Sequence, residues 1–115
     1  AALAAALVGS ATSLKTALLD QSRLAGVGNL IADETLWRAR LDPVRPAGGL
    51  DTDEVAGLAR TLRSTIRMLT RRGGAHTGDL QEQRRRDGRC PRCGDRLDRR
   101  TIGGRTTYSC PSEQR

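Results

Sequence analysis

A chain of 115 residues with twenty basic and thirteen acidic side chains, formal net charge +7, is one domain or two very small ones, biased towards polyanionic partners. No apolar run approaches the ~18 residues of a membrane span, and Ala1–Val8 lacks the basic residues that precede the apolar core of a signal peptide. Three cysteines are too few and too odd a count for a disulfide framework, so they favour metal and a reducing compartment.

Ala1–Val8 is Ala-rich and helix-prone, and residues 9–13 break it, with Ser13 placed to cap the next helix. Leu14–Gln21 predicts a short helix with Leu14, Leu18 and Leu19 on one face. Next comes Ala25-Gly26-Val27-Gly28-Asn29, whose two glycines permit sharp turns and close backbone approach. A second helix follows from about Gly28 to Arg38, with Leu30, Ile31 and Trp37 inwards. It ends at Leu41-Asp42-Pro43, because a residue before proline disfavours helix. Residues 43–49 read as a connection. Asp51 and Glu54 have the spacing of a capping box, and Val55, Leu58, Leu62, Ile66 and Leu69 form the clearest amphipathic stripe in the chain. That stripe is read as core and given no chemistry. Arg71-Arg72-Gly73-Gly74 closes this third helix, and Ala75–Gly88, polar and without apolar period, reads as a linker. Leu97–Ile102 and Arg105–Ser109 flank Gly103-Gly104, a pair suited to a type I′ or II′ hairpin. The expected architecture is therefore mainly α, with a helical domain over 1–74, a linker over 75–88 and a small β-hairpin module over 89–115.

Charge is unevenly placed. Residues 1–70 hold eight basic and seven acidic side chains, whereas 71–115 hold twelve and six. The basic rear half favours nucleic acid, against the plainer reading of a solubilising surface. The preference for arginine, nineteen to one lysine, is not read as phosphate recognition. The rear half also has few large apolar residues, mainly Leu97, Ile102 and Tyr108 after Leu80, so a metal would have to contribute to its folding.

A metal motif stands in that half: Cys90-Pro91-Arg92-Cys93-Gly94 and Cys110-Pro111-Ser112-Glu113, with sixteen residues between Cys93 and Cys110. Two Cys-x-x-Cys knuckles at such a distance read as a zinc site, and here Glu113 occupies the fourth position. Zinc accepts carboxylate oxygen, so Cys90, Cys93, Cys110 and Glu113 can form a four-coordinate site, harder and weaker than four thiolates. His76 is the other conceivable ligand, although a lone histidine in a polar linker is more often solvated.

Leu14-Lys15, Leu18-Leu19-Asp20-Gln21, Ala25-Gly26-Val27-Gly28-Asn29-Leu30 and Ala32-Asp33-Glu34 together resemble the helix–two-turn–helix core of the formamidopyrimidine-DNA glycosylase / endonuclease VIII family. The cysteine knuckles, with Gly103-Gly104-Arg105-Thr106-Thr107-Tyr108 between them, resemble its C-terminal zinc finger. The resemblance runs from about Leu14 to Arg115. It implies double-stranded DNA as partner, damaged or abasic, bound by a cytoplasmic, nucleoid-associated monomer with zinc as cofactor. Lys15 and Asn29 match residues that grip phosphates flanking the lesion, and Gly26 and Gly28 match glycines that let backbone N–H groups approach. Arg105 matches the arginine at the fingertip, which holds phosphates at the damaged nucleotide and takes part in the late strand cleavage.

The departures are equally specific. The family's nucleophile is an N-terminal proline amine in a β-rich domain. This sequence begins at Ala1, its four prolines are internal, and no residue can be carried onto that role. Glu113 replaces the fourth cysteine, and the segment before Cys90, with Arg84-Arg85-Arg86-Asp87-Gly88 in place of an aromatic-basic stretch, is short. The expectation is a DNA-binding module inactive by itself. Its rivals are the rear fragment of an active glycosylase and AP lyase, and a zinc-ribbon module for protein or RNA. Having only Trp37 and Tyr108 as aromatics argues against single-strand binding by stacking.

Overall fold

The computed structural model describes Leu7, residues 9–25 (backbone only over 21–25) and residues 28–115. Among these, three α-helices precede a two-stranded antiparallel sheet: α1 Leu14–Ala25, α2 Asn29–Ala39, α3 Thr52–Arg72, β1 Asp98–Ile102 and β2 Arg105–Ser109. Apart from Leu7, which is helical, the expected helix at Ala1–Val8 lies outside the described residues. Ser13 caps α1 as its position suggested, its hydroxyl accepting from the Thr16 N–H at 3.2 Å. The first two N–H groups of α1 reach the connection instead: Leu14 donates to the Arg45 carbonyl at 2.8 Å and Lys15 to that of Pro43 at 3.0 Å. The helix runs past Gln21 to Ala25, longer than its apolar face indicated.

Helix α2 is the axle of the molecule. Ile31 to Trp37 are all buried, so the helix is enclosed on every side. Leu36 and Ala32 join Leu14, Leu18, Leu41 and Leu58 in the main core, while Ile31 meets Leu69 of α3, and Trp37 packs on Leu80, Cys90 and Cys110. Such enclosure traps Asp33, Glu34 and Thr35 in the interior, where polar groups need partners. Helix α2 stops where Arg40 takes the left-handed conformation at φ 60°, just before the expected Leu41-Asp42-Pro43 stop.

Helix α3 begins with the full capping box: the Asp51 side chain accepts from the Glu54 N–H at 2.8 Å and Glu54 accepts from the Asp51 N–H at 3.1 Å. Leu58 and Leu69 are buried, with Val55, Leu62 and Ile66 half-buried beside them. Gly73, at φ 103°, closes the helix in the left-handed conformation.

The segment expected as a polar linker is folded onto α2. Two single 3-10 turns, Ala75–Thr77 and Gln81–Gln83, form a strap that buries Leu80. Buried Glu34 explains it. Its carboxylate accepts the Leu80 N–H at 3.0 Å and the Asp79 N–H at 3.3 Å, and pairs with Arg38 at 2.8 Å. Asp79 adds ion pairs to Arg38 at 2.7 Å and Arg72 at 2.8 Å. The hairpin then pairs Ile102 with Arg105 around Gly103 and Gly104, at φ 58° and 76°. Two left-handed residues at the corner are the signature of a type I′ turn, which this glycine pair permits.

Candidate nucleic-acid interface and metal centre

One buried carboxylate docks the hairpin on the helices. Asp33 takes the Lys15 ammonium on Oδ1, and on Oδ2 both the Arg84 guanidinium and, at 3.0 Å, the Tyr108 backbone N–H. Lys15 Nζ also donates to Thr107 Oγ1 at 2.9 Å, and the Arg84 guanidinium lies 4.8 Å over the Tyr108 ring. Residues of α1, α2, the strap and β2 thus converge on one point. Lys15 is fully buried, so its ammonium is directed inwards to this network rather than to solvent. Burial lowers the Lys15 pKa from its ordinary 10.5, with Asp33 working in the opposite sense.

A second link lies nearer the tip. Asn29 opens α2 and donates from Nδ2 to the Thr106 carbonyl at 2.9 Å, leaving one amide hydrogen uncommitted. No side chain caps this helix start, so the first-turn N–H groups lack intrahelical acceptors. Gly28 precedes it in an extended conformation, φ −114°, with nothing within 4 Å of where a side chain would begin. The opening therefore lies in the space at the helix start; the backbone conformation of Gly28 is open to any residue. Gly26 lies outside the described residues. Arg105 is next to Thr106 at the exposed corner of the hairpin. Among the described residues, it makes no ion pair or hydrogen bond through its guanidinium. A bare helix start and a free guanidinium are thus joined by one hydrogen bond. Gly103 also fixes this corner: a side chain there would begin 2.6 Å from Thr16 Oγ1 of α1.

Cys90, Cys93, Cys110 and Glu113 present ligand atoms all within 4.8 Å of one another. Cys90 Sγ lies 3.3 Å from Glu113 Oε1, and Cys93 Sγ 3.5 Å from Cys110 Sγ. A tetrahedral ion with ~2.3 Å metal–sulfur bonds has ligands about 3.8 Å apart, so the cluster fits one. His76 is exposed in its turn and outside this group. Both knuckles are held by backbone bonds: Gly94 N–H to the Cys90 carbonyl at 2.8 Å, and Gln114 N–H to the Cys110 carbonyl at 3.0 Å. Gln114 also accepts the Cys110 N–H at 2.7 Å and donates to the Leu41 carbonyl at 3.0 Å, tying the finger to the helical core. The Glu113 carboxylate sits between Arg92 at 2.8 Å and Arg40 at 3.3 Å, and the Arg92 hydrogen bond leads in lowering its pKa below the ordinary carboxylate value. Burial opposes ionisation of Cys90, but the Trp37 indole N–H at 3.3 Å and the backbone N–H groups of Cys93 and Arg92 outweigh it, lowering its pKa. Burial and the adjoining Cys93 thiol push the free Cys110 thiol up to about 12.

The sequence motifs include Asp33 and Glu34 but do not reveal their work, and Arg84, Thr107 and Tyr108 had no assigned place in a docking network. The available signal was two adjacent acids in a helix with apolar residues on all sides. Such acids require partners.

A helix–turn–helix pair carrying a cysteine-knuckled hairpin defines the class, a helix–two-turn–helix protein with a finger. The family model described as the formamidopyrimidine-DNA glycosylase H2TH domain matches residues 1–80, and the chain belongs to that family. A formamidopyrimidine-DNA glycosylase of a Roseiflexus species is 39% identical over 127 residues, covering 98% of this chain and 46% of the relative. The crystal structure of the MutM (Fpg) protein from Thermus thermophilus is similar at TM-score 0.79 and 40% identity, over 94% of this chain and 47% of that one. The Lactococcus lactis Fpg protein in complex with abasic-site DNA gives TM-score 0.79 at 29% identity, over 95% and 44%. The chain therefore spans about half the length of the relatives it matches. No described helix is long and apolar enough to cross a membrane.

Proposed function

We propose that this chain is the DNA-gripping part of a base-excision repair protein of the formamidopyrimidine-DNA glycosylase type, holding duplex DNA, damaged or abasic, through its phosphates at the cytoplasmic nucleoid. The observation that carries this reading is the hydrogen bond that joins Asn29, at the open start of α2, to the β2 strand beside the free Arg105. Helix N–H groups, an amide hydrogen and a planar cation then face one anion, a combination that suits phosphate. Arg105 grips at the damaged nucleotide, and beside a nucleophile supplied from outside these residues it would assist the late strand cleavage. Lys15, Asp33 and Arg84 act behind it as positioning residues that keep the hairpin at a fixed height over α2.

Zinc is the ion we assign to Cys90, Cys93, Cys110 and Glu113, because three thiolates and a carboxylate in tetrahedral spacing suit it. It would stiffen the finger and so the bearing of Arg105. No residue of this chain stands for the amine nucleophile, so the chain by itself binds without cutting. The matched structures include proteins in complex with DNA, which favours duplex DNA over a protein or RNA partner.

Fluorescence anisotropy on abasic and intact duplexes, in the presence of zinc, tests this. Arg105→Ala should weaken binding roughly tenfold and reduce the salt slope by about one. Asn29→Ala should weaken it less. Borohydride should trap no adduct on abasic DNA. Equal affinity in parent and both variants, or binding indifferent to salt between ~50 and ~200 mM, would refute the site.

A further inference from the structure

Helix α3 carries an arginine ridge that the proposed DNA grip does not use. Arg60, Arg63, Arg67 and Arg71 recur at spacings of three, four and four, on the side opposite buried Leu58, Thr65 and Leu69. All four are exposed. Among the described residues, none of them has an ion pair or hydrogen bond through its side chain. By contrast, Arg38, Arg40, Arg45, Arg72, Arg84 and Arg92 each hold a carboxylate.

Like charges at these helical spacings repel, which weakens the helix rather than supporting it. No acid occurs between Glu54 and Asp79 to relieve the repulsion. At the first arginine the ridge opens into a cleft of about 490 Å³, lined by Arg38, Arg40, Arg45 and Arg115 as well as Arg60, with Glu54 its only acid. From Arg60 to Arg71 the ridge is about 16 Å long. Over that length duplex DNA presents on the order of ten phosphates.

We propose that this ridge is a second nucleic-acid contact, binding the phosphate backbone of duplex DNA without reading sequence. Chemistry favours this partner over an acidic protein. Protein interfaces are anchored by buried aromatic or aliphatic side chains. The ridge offers none, because Val44 is the one large hydrophobic exposed among the described residues and lies outside α3. The ridge faces away from α2, and α2 lies between α3 and the hairpin. A short straight duplex held at Asn29 and Arg105 therefore cannot reach it. The ridge takes either a second duplex or a distant stretch of the same molecule bent round.

The test titrates the full 115-residue chain with a labelled duplex of about 12 base pairs at low salt, a length too short to wrap. Sedimentation reads the stoichiometry. The parent is expected to bind two duplexes and the R60Q/R63Q/R67Q/R71Q variant one, with its total salt slope shallower by about 2 to 4. The Arg105→Ala variant should keep the ridge duplex. That separates this proposal from the hairpin reading, since loss at Arg105 and loss at the ridge are scored independently. If the quadruple variant does not fold, R60Q/R63Q and R67Q/R71Q divide the change, and each should remove part of the slope. Unchanged stoichiometry, affinity and salt slope in the folded ridge variants would overturn the proposal.

Discussion

Replacing Asp33 with asparagine removes the charge on which the hairpin is docked. Asp33 and Lys15 are fully buried at their side chains and Arg84 is 9% exposed, so water cannot replace what is lost. The carboxylate receives three donors: the Lys15 ammonium, the Arg84 guanidinium and the Tyr108 N–H. Asparagine offers one acceptor oxygen and turns an NH₂ towards the remaining cation. Breaking a buried pair from one side costs about 3–5 kcal/mol. A domain of this kind has roughly 5–15 kcal/mol in total. With a urea dependence of about 1.5 kcal/mol/M, the midpoint of unfolding should fall by about 2–3 M, read by far-ultraviolet circular dichroism. Lys15→Met removes the other partner, and the double variant closes a cycle whose coupling should exceed about 1 kcal/mol. There is also a dependence on pH. Folded Lys15 binds its proton less tightly than an unfolded lysine, so the unfolded chain binds more proton and stability from this site increases as pH rises towards 10.5. A midpoint shift worth less than about 1 kcal/mol in Asp33→Asn, with additive single changes, would refute the claim that this pair docks the hairpin.

Two further outcomes follow from the carboxylates. Hydrogen bonds from Arg45, and from the Asp51 N–H, lower the pKa of Glu54 from 4.5, so the stability it contributes is present above 4.5 and is lost as pH falls through the lower folded value. Glu54→Gln should therefore melt earlier than the parent at neutral pH, with the two melting curves converging in acid; a gap that stays constant down to the acid limit would contradict this. At the finger, Glu113→Ala should weaken zinc binding in chelator competition by at least the roughly 10–100-fold of a lost supporting partner, whereas Glu113→Cys should tighten it. Identical affinity in Glu113→Ala and the parent would mean that three thiolates hold the ion without the carboxylate.

Features written in local spacing were legible. The Asp51–Glu54 box, the stripe from Val55 to Leu69 and the Gly103-Gly104 corner each occupy a few neighbouring residues, so their physics is readable in order. The clustering of Cys90, Cys93, Cys110 and Glu113 belongs with them, because two short knuckles announce it by residue type and spacing. Lys15 could not be read this way. A lysine near a helix start is normally solvated, and its partners stand 18 and 92 residues away. The strap was missed for a similar reason. It has a single large apolar anchor, Leu80, and is otherwise held by a glutamate 46 residues earlier accepting backbone N–H groups. No apolar period can record a segment ordered by hydrogen bonds to its main chain. The shortfall in α1, which continues to Ala25, arises where the apolar period stops before the backbone does.

Trp37 is the only tryptophan in the chain, and its ring is sandwiched into the finger's foundation. Its indole N–H points at Cys90 Sγ, and the Arg92 guanidinium stacks 3.9 Å over its face. The molecule consequently carries a built-in optical probe beside one cysteine of the proposed metal site. Its emission should respond when that sulfur changes from thiol to thiolate or gains an ion. Loading and loss of metal could then be followed in real time, with no dye and no substitution, in the same cuvette as a bound duplex.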